Sequence, residues 1–272
     1  MSEESVPAGI DPTVPSAARI YDYFLGGKDN FASDRAAAEH ILALARARGY
    51  DIREAAWANR AFLGRVVREL AAAGVRQFLD IGTGLPTREN VHQIVREAAP
   101  DAKVVYVDND PIVLVHARAL LEDNARTIVV HGDLREPAKI LADPQVRAHL
   151  DLDRPVAVLV LALLHFFPED DYVDGLVGQL IDGLPSGGYL AVSHGYAALR
   201  DAEGEQEARD VYSKTSVGDI VQRPPAKIAA MMARLEMLEP GVVPVETWRP
   251  HPDQYAGNPE TSGYIGGVGR KS

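Results

Sequence analysis

The turn Asp80-Ile81-Gly82-Thr83-Gly84 follows the apolar pair Phe78-Leu79 and precedes a helical stretch. Glycines there let the backbone approach a ligand closely, and the next helix offers free N–H groups and a positive dipole end. Such a turn is common taken alone. Two details narrow it. An acid at position 80 would repel a pyrophosphate but suits a positive ligand, and Pro86-Thr87 stands where the fingerprint G-x-G-x-x-G needs its third glycine. Both point away from NAD and toward a cationic amino-acid cofactor. Asp108 follows Val107 at the distance where a ribose-binding acid is expected, although by itself it also reads as a solvated loop acid. Asp133, in His131-Gly132-Asp133-Leu134, can accept from an adenine amino group. Three acids at three consecutive strand ends, beside a glycine turn, describe an adenosine-type site.

These residues require strands that end side by side. Short apolar runs at 77–81, 103–107, 127–131, 156–163 and 189–194 alternate with helical patterns at 87–98, 111–123, 136–142 and 170–184. Continuous apolar strands alternating with helices imply an α/β fold whose parallel sheet is covered on both faces. Three helices precede it, at 16–24, 34–48 and 53–73, with Ser33 or Asp34 able to cap the second. Trp57 and Trp248 are assigned to packing. Downstream, 203–213 is a charged helix suited to a lid, 224–238 a further helix, and 242–248 and 263–268 two strands. With no helix between them, those two form an antiparallel pair at the sheet edge. Residues 1–15 read as a flexible arm, 16–74 as a helical cap and 75–272 as the core.

The 272 residues are 46% hydrophobic and 25% charged, and carry no cysteine, which excludes disulfides, zinc–thiolate sites and cysteine nucleophiles. No metal is called for. A net charge of −11 argues against a nucleic-acid partner. The apolar stretch at 155–167 is too short to span a bilayer, and the acidic start lacks the features of a signal peptide. A cytoplasmic protein with no membrane partner is expected, of open oligomeric state.

Four strings carry a resemblance: Ala18-Arg-Ile-Tyr-Asp-Tyr-Phe-Leu-Gly-Gly-Lys-Asp-Asn-Phe31, Phe78-Leu-Asp-Ile-Gly-Thr-Gly-Leu-Pro-Thr87, Tyr106-Val-Asp-Asn-Asp-Pro111 and Glu239-Pro-Gly-Val-Val-Pro244. They resemble an actinobacterial family first known as a domain of unknown function and now named S-adenosyl methyltransferase. Asp80-Ile-Gly-Thr-Gly, Asp108 and Gly132-Asp133 likewise resemble class I S-adenosylmethionine-dependent methyltransferases. The resemblance implies a Rossmann-like fold with a mostly parallel seven-stranded sheet, and transfer of a methyl group from S-adenosylmethionine to an unidentified small-molecule acceptor. It implies that Asp80 faces the methionine amino group, Gly82, Thr83 and Gly84 cradle the methionine part, and Asp108 holds the ribose. Asn109 would flank the adenine, Asp133 with Leu134 would fix its edge, and Ala162 and Leu163 would lie near the sulfonium.

A general base is needed only for an acceptor that arrives protonated. His165 and His194 both follow strands on the ligand edge, and each reads as such a base or acceptor contact, or as a loop anchor. Tyr21 and Asn30, in a segment rich in polar and aromatic groups, read as acceptor-pocket residues or as packing. A non-catalytic S-adenosylmethionine or S-adenosylhomocysteine binder is the alternative, and a nicotinamide oxidoreductase the third reading.

Overall fold

The computed structural model describes residues 10–86, 89–120, 125–196, 202–251 and 255–272. Five parallel strands, β1 (Gln77–Ile81), β2 (Lys103–Asp108), β3 (Thr127–His131), β4 (Ala157–Leu161) and β5 (Tyr189–Gly195), form most of one sheet. Two short strands, β6 (Glu236–Met237) and β7 (Val243–Pro244), pair with opposite ends of the antiparallel β8 (Tyr264–Arg270). They share one edge position, so the order β3-β2-β1-β4-β5-β8-β6 is seven positions wide.

The terminal antiparallel elements differ from expectation in detail. β8 does not lie at the edge; it pairs along its length with β5, placing Tyr264 opposite Gly195. An antiparallel strand therefore begins where the parallel strands end. Gly266 makes the arrangement possible, because a Cβ there would meet the Phe62 ring at 2.8 Å and the Val192 carbonyl at 3.0 Å. The helix expected over 224–238 stops at Met231, since Glu236 and Met237 leave it to pair with β8. Only two residues of the strand expected over 242–248 pair; a 3-10 turn, Val245–Thr247, then drops Trp248 into the core, edge-on to Phe62 at 5.4 Å.

The helices are α1 (Ala17–Phe24), α2 (Ala32–Ala47), α3 (Ile52–Ala72), α4 (Val91–Ala98), α5 (Pro111–Leu120), α6 (Pro137–Ala142), α7 (Pro144–His149), α8 (Asp170–Gly183), α9 (Ala202–Tyr212) and α10 (Pro225–Met231). One apolar layer packs α6, α7, α8 and α10 on one face of the sheet, and another packs α3 and α4 on the opposite face. These two layers satisfy the double burial that the apolar strands demand. Of the expected 16–74 cap, only α1 and α2 sit apart, in a third cluster closed by Val211 and Tyr212 of α9; α3 is also part of the core. Trp57 faces outward and is exposed, so its expected packing role is corrected. The expected start of α4 at Thr87 lies outside the described residues, and no described helix is long and apolar enough to cross a membrane.

The arm expected over 1–15 is described only from residue 10, and 10–15 is tied down. Ser33 Oγ donates to the Pro12 carbonyl at 2.6 Å, Arg19 to that of Val14 at 2.7 Å, and the Ser216 N–H to that of Pro15 at 3.0 Å. Phe31, not Ser33 or Asp34, precedes the first turn of α2. Asp34 instead accepts from three donors: the Ser16 N–H at 2.9 Å, Arg19 Nε at 2.7 Å and the Phe31 N–H at 2.7 Å. Carboxylate and guanidinium are both buried, so removing one strands the other. Such a loss typically costs about 3–5 kcal/mol. Asp34→Ala is therefore expected to destabilise the protein by about 3 kcal/mol or more in urea titration; an unchanged midpoint would contradict this role for the cap.

Candidate functional site

The strand order reverses between β1 and β4, and ligands of doubly wound sheets bind outside the strand ends at such a switch point. A cavity of about 820 Å³ opens there. That is within the range of pockets that bury a small organic ligand, roughly 300–1,000 Å³. Asp80, Asp108, Asp133 and Ala162 each enter it from the end of a successive strand, and Gly195 and Tyr264 complete the rim from β5 and β8.

The β1 turn has the shape that close approach requires. Gly82 has φ +71° and Gly84 φ +67°. A Cβ on Gly82 would lie 2.5 Å from Leu163 Cδ2, while Gly84 faces open space. Both glycines thus hold a conformation costly to other residues. Thr83 Oγ1 donates to Asp80 Oδ2 at 3.0 Å. Asp108 organises the pocket floor: its two oxygens accept from the Gly84 N–H and the Asp110 N–H, both at 2.9 Å. Ala162 has φ +52°, strained for a residue with a Cβ, and its N–H is held by the Ser193 carbonyl and hydroxyl at 3.1 and 2.9 Å.

The acids differ electrostatically. Burial pushes Asp80 up to about 6, opposed by the Thr83 bond and Arg60 and assisted by Asp108. Asp108 is also raised to about 6, chiefly by burial, although backbone N–H groups oppose this. Asp133 is partly buried, which alone would raise it, but Arg135 and Asn109 hold it down to about 2. Asn109 Nδ2 donates to Asp133 at 2.9 Å, and Arg135 grips both carboxylate oxygens. Asp133 is therefore not the free acceptor that the sequence suggested.

Of the four other polar candidates, His165 and Tyr21 line the cavity, whereas His194 and Asn30 take the anchoring or packing role that was the alternative reading. His165 lines the cavity, but its Nδ1 accepts the Gly195 N–H at 3.0 Å. Burial, with His194 and Arg223 adding to it, pushes this imidazole well below its usual range. A neutral ring with Nδ1 accepting carries its proton on Nε2 and offers a donor, which corrects the general-base reading. His194 does not reach the cavity: its Nδ1 bonds the Gly195 carbonyl at 2.7 Å and its Nε2 lies 3.3 Å from Arg223. Asn30 is also outside, its amide donating to Asp22 Oδ2 at 2.9 Å and to the Gly27 carbonyl at 3.2 Å. It pins the Gly26-Gly27 loop. Tyr21 does line the cavity, donating to the Ala56 carbonyl at 3.1 Å.

Residues not singled out from the sequence complete the site. Arg60 lines the cavity near Asp80, and its buried Nε has no partner among the described residues. Arg223 is buried and donates to the carbonyls of Leu164, Phe167 and Pro168 at 3.2, 2.8 and 3.1 Å, stapling the loop after β4. Asp110 joins cap to site, accepting from Ser16 Oγ at 2.8 Å while capping α5 through the Ile112 N–H at 2.9 Å. No motif marked Arg60 or Arg223. Their partners come from segments far away in the chain.

A seven-position sheet of this order, mostly parallel with antiparallel C-terminal strands and a glycine turn between sheet and cavity, is a Rossmann-like α/β fold. The sequence model of the family described as S-adenosyl methyltransferase matches residues 3–272, and the chain belongs to that family. The solved structure of a candidate methyltransferase from Thermobifida fusca YX is 38% identical, with a TM-score of 0.88, and 99% of each chain is covered. A DUF574 family protein from Streptomyces avermitilis is 39% identical at a TM-score of 0.87, covering 96% of this chain and 99% of its own. No curated protein matches the sequence. The family assigns S-adenosylmethionine as cofactor. The residues fit it: two buried carboxylates face a cavity whose glycine turn leaves room for close approach.

A value near 6 in place of about 3.8 corresponds to roughly 3 kcal/mol of penalty on charged Asp80. An acid raised in the folded state holds its proton more tightly folded than unfolded. Its stabilising contribution is therefore present below pH 4 and is lost as pH rises through 6. Asp80→Asn should accordingly melt higher than the ligand-free wild type at pH 7.5, with the gap closing near pH 4.5; a constant gap would contradict the shift.

Proposed function

We propose that the chain methylates a small molecule, with the cofactor lying along the ends of β1, β2 and β3 and the acceptor entering from α1, α3 and α9. The observation that carries this reading is the pair of buried acids, Asp80 and Asp108, each disfavoured in its charged form and each facing the cavity. A cationic, hydroxyl-rich ligand relieves both. Asp80 accepts from the methionine ammonium, and Arg60, with its unpartnered Nε, meets the methionine carboxylate. Gly82, Thr83 and Gly84 line the methionine chain with backbone. Asp108 retains lone pairs beyond those used by Gly84 and Asp110, and these take the ribose hydroxyls. Asn109 and Leu134 flank the adenine, and Asp133 meets its amino group once Arg135, exposed on its outer side, turns to solvent.

S-adenosylmethionine, when bound, supplies an electrophilic methyl on a sulfonium that leaves as a neutral thioether. The residues around it align and enclose. Leu163 packs against the Gly82 turn and Ala162 lines the cavity beside it, and together they fix where the acceptor must arrive. His165, held by the Gly195 N–H, presents its Nε2 proton as a hydrogen-bond donor that orients the acceptor. The loop 164–168, stapled by Arg223, keeps water from the displacement. No residue of the cavity is assigned as a base; a protonated acceptor loses its proton to solvent.

Calorimetric titration tests this. Wild type is expected to bind S-adenosylhomocysteine with micromolar affinity and to ignore NAD. A charge-assisted hydrogen bond contributes about 1.5–3 kcal/mol, so Arg60→Met is expected to weaken binding roughly 10–100-fold. Asp108→Ala should weaken it at least as much. Unchanged affinity in both variants would refute the assignment.

A further inference from the structure

The far wall of the cavity is chemically unlike the strand ends. It is built by α1, α3, α9 and the segment 216–222, and its large side chains include Phe24, Leu63, Phe166, Tyr212 and Tyr264. Phe166 and Tyr212 lie 5.6 Å apart, and Tyr264 lies 6.1 Å from His165, so ring faces and edges dominate the surface. Burial raises Tyr212 and Tyr264, and His165 is neutral for the reason given above. Two guanidiniums on these helices also line the cavity, but Arg19 is paired with Asp34 and Arg60 is the group given above to the cofactor carboxylate; besides them, among the described residues on this wall, Glu205 on α9 is the one charged side chain. With Arg19 paired to Asp34 and Arg60 given to the cofactor, a charged acceptor would leave its water for a surface that offers it little free counter-charge, at a cost of several kcal/mol.

One buried carboxamide on this wall is not fully satisfied. Ala55, Asn59 and Leu63 occur every fourth residue on α3, which sets them on one face of the helix, and all three line the cavity. Asn59 is 3% exposed. Its amide nitrogen donates to the Tyr21 hydroxyl at 3.0 Å, because that hydroxyl gives its own proton to the Ala56 carbonyl. The pairing fixes which way the carboxamide points. Its oxygen is buried and has no partner among the described residues. An acceptor oxygen in that state costs about 1–3 kcal/mol until a donor meets it. Asn59 itself lines the cavity, so a ligand bound there is the source of that donor.

We infer that the methyl acceptor is an uncharged, largely aromatic molecule carrying a hydroxyl or N–H donor, and that Asn59 Oδ1 accepts its hydrogen bond and sets which acceptors fit. This rests on the methyltransferase reading above and specifies the other half of the same cavity. Asn59 is a specificity residue here, with Tyr21 positioning it. With Asn59 Oδ1 left unpartnered among the described residues, discrimination falls on one hydrogen bond and on charge.

The test uses the protein saturated with S-adenosylhomocysteine at pH 7 and a matched set of probes: 2-naphthol, naphthalene, 2-naphthoate and 2-naphthylmethylammonium. Wild type is expected to bind 2-naphthol at least tenfold more tightly than either charged analogue. Asn59→Leu should weaken 2-naphthol about tenfold, as expected for one lost neutral hydrogen bond, and leave naphthalene unchanged. Asn59→Asp, which keeps an oxygen in place, should retain 2-naphthol binding within a few fold. Both variants should bind S-adenosylhomocysteine as wild type does, which also reports that they fold. Charged analogues binding as well as 2-naphthol, an unaffected Asn59→Leu, or absent 2-naphthol binding would overturn the inference and leave the cofactor assignment standing. Weaker S-adenosylhomocysteine binding in the Asn59 variants would overturn it too, by moving Asn59 to the cofactor. Failure of wild type to bind S-adenosylhomocysteine would sink both readings together.

Discussion

Asp80 and Asp108 are ionisable groups shut into a cavity floor where water is scarce, and most of the fold can be understood as what makes that placement tolerable. A carboxylate in low dielectric resists ionisation unless donors or a cation face it. The protein supplies part of the compensation through the Thr83 hydroxyl and the Gly84 and Asp110 N–H groups, and leaves the rest to be supplied by a ligand. That shortfall is what makes the floor selective. A pyrophosphate would add to the repulsion, whereas an ammonium and a pair of ribose hydroxyls remove it.

Holding the acids in register requires the strands to end together, and the parallel order on either side of β1 and β4 does this without help from loops. The loops then need separate restraint. Asp34, Arg19 and Asp110 join the segment 10–15, the cap and the start of α5 into one polar network that ends at Asp108. On the opposite side of the cavity, Arg223 collects three carbonyls of the loop after β4 and leaves His165 free to be oriented by Gly195. Both devices bury a guanidinium and pair it with a carboxylate and backbone carbonyls.

The parallel core was legible because its signals are local. Apolar runs with fixed boundaries marked β1 and β3 to the residue, and the glycine turn with its three acids marked the cofactor end. What escaped was decided by tertiary pairing. Glu236 and Met237 carry a helical pattern yet form a strand because β8 offers an edge, and Val245 to Thr247 abandon a strand so that Trp248 can fill the space beside Phe62. Trp57 shared the apolar stripe of α3 in sequence but points to solvent. The histidines were left between base and loop anchor for a related reason: their position at strand ends was visible, but the Gly195 and Arg223 contacts that orient them were not. Asn59 and Arg60 carry no motif at all, and only the folding of α3 against the sheet gives them a role.

The central claim is that two raised carboxylates form the cofactor floor, and proton release on binding reports it directly. Calorimetric titration with S-adenosylhomocysteine at pH 6, repeated in buffers of different ionisation enthalpy, counts those protons. Near pH 6 each acid is about half protonated without ligand and becomes fully charged against an ammonium or hydroxyls, so release of roughly half a proton to one proton per site is predicted. Binding with no proton release, or with uptake, would contradict the account.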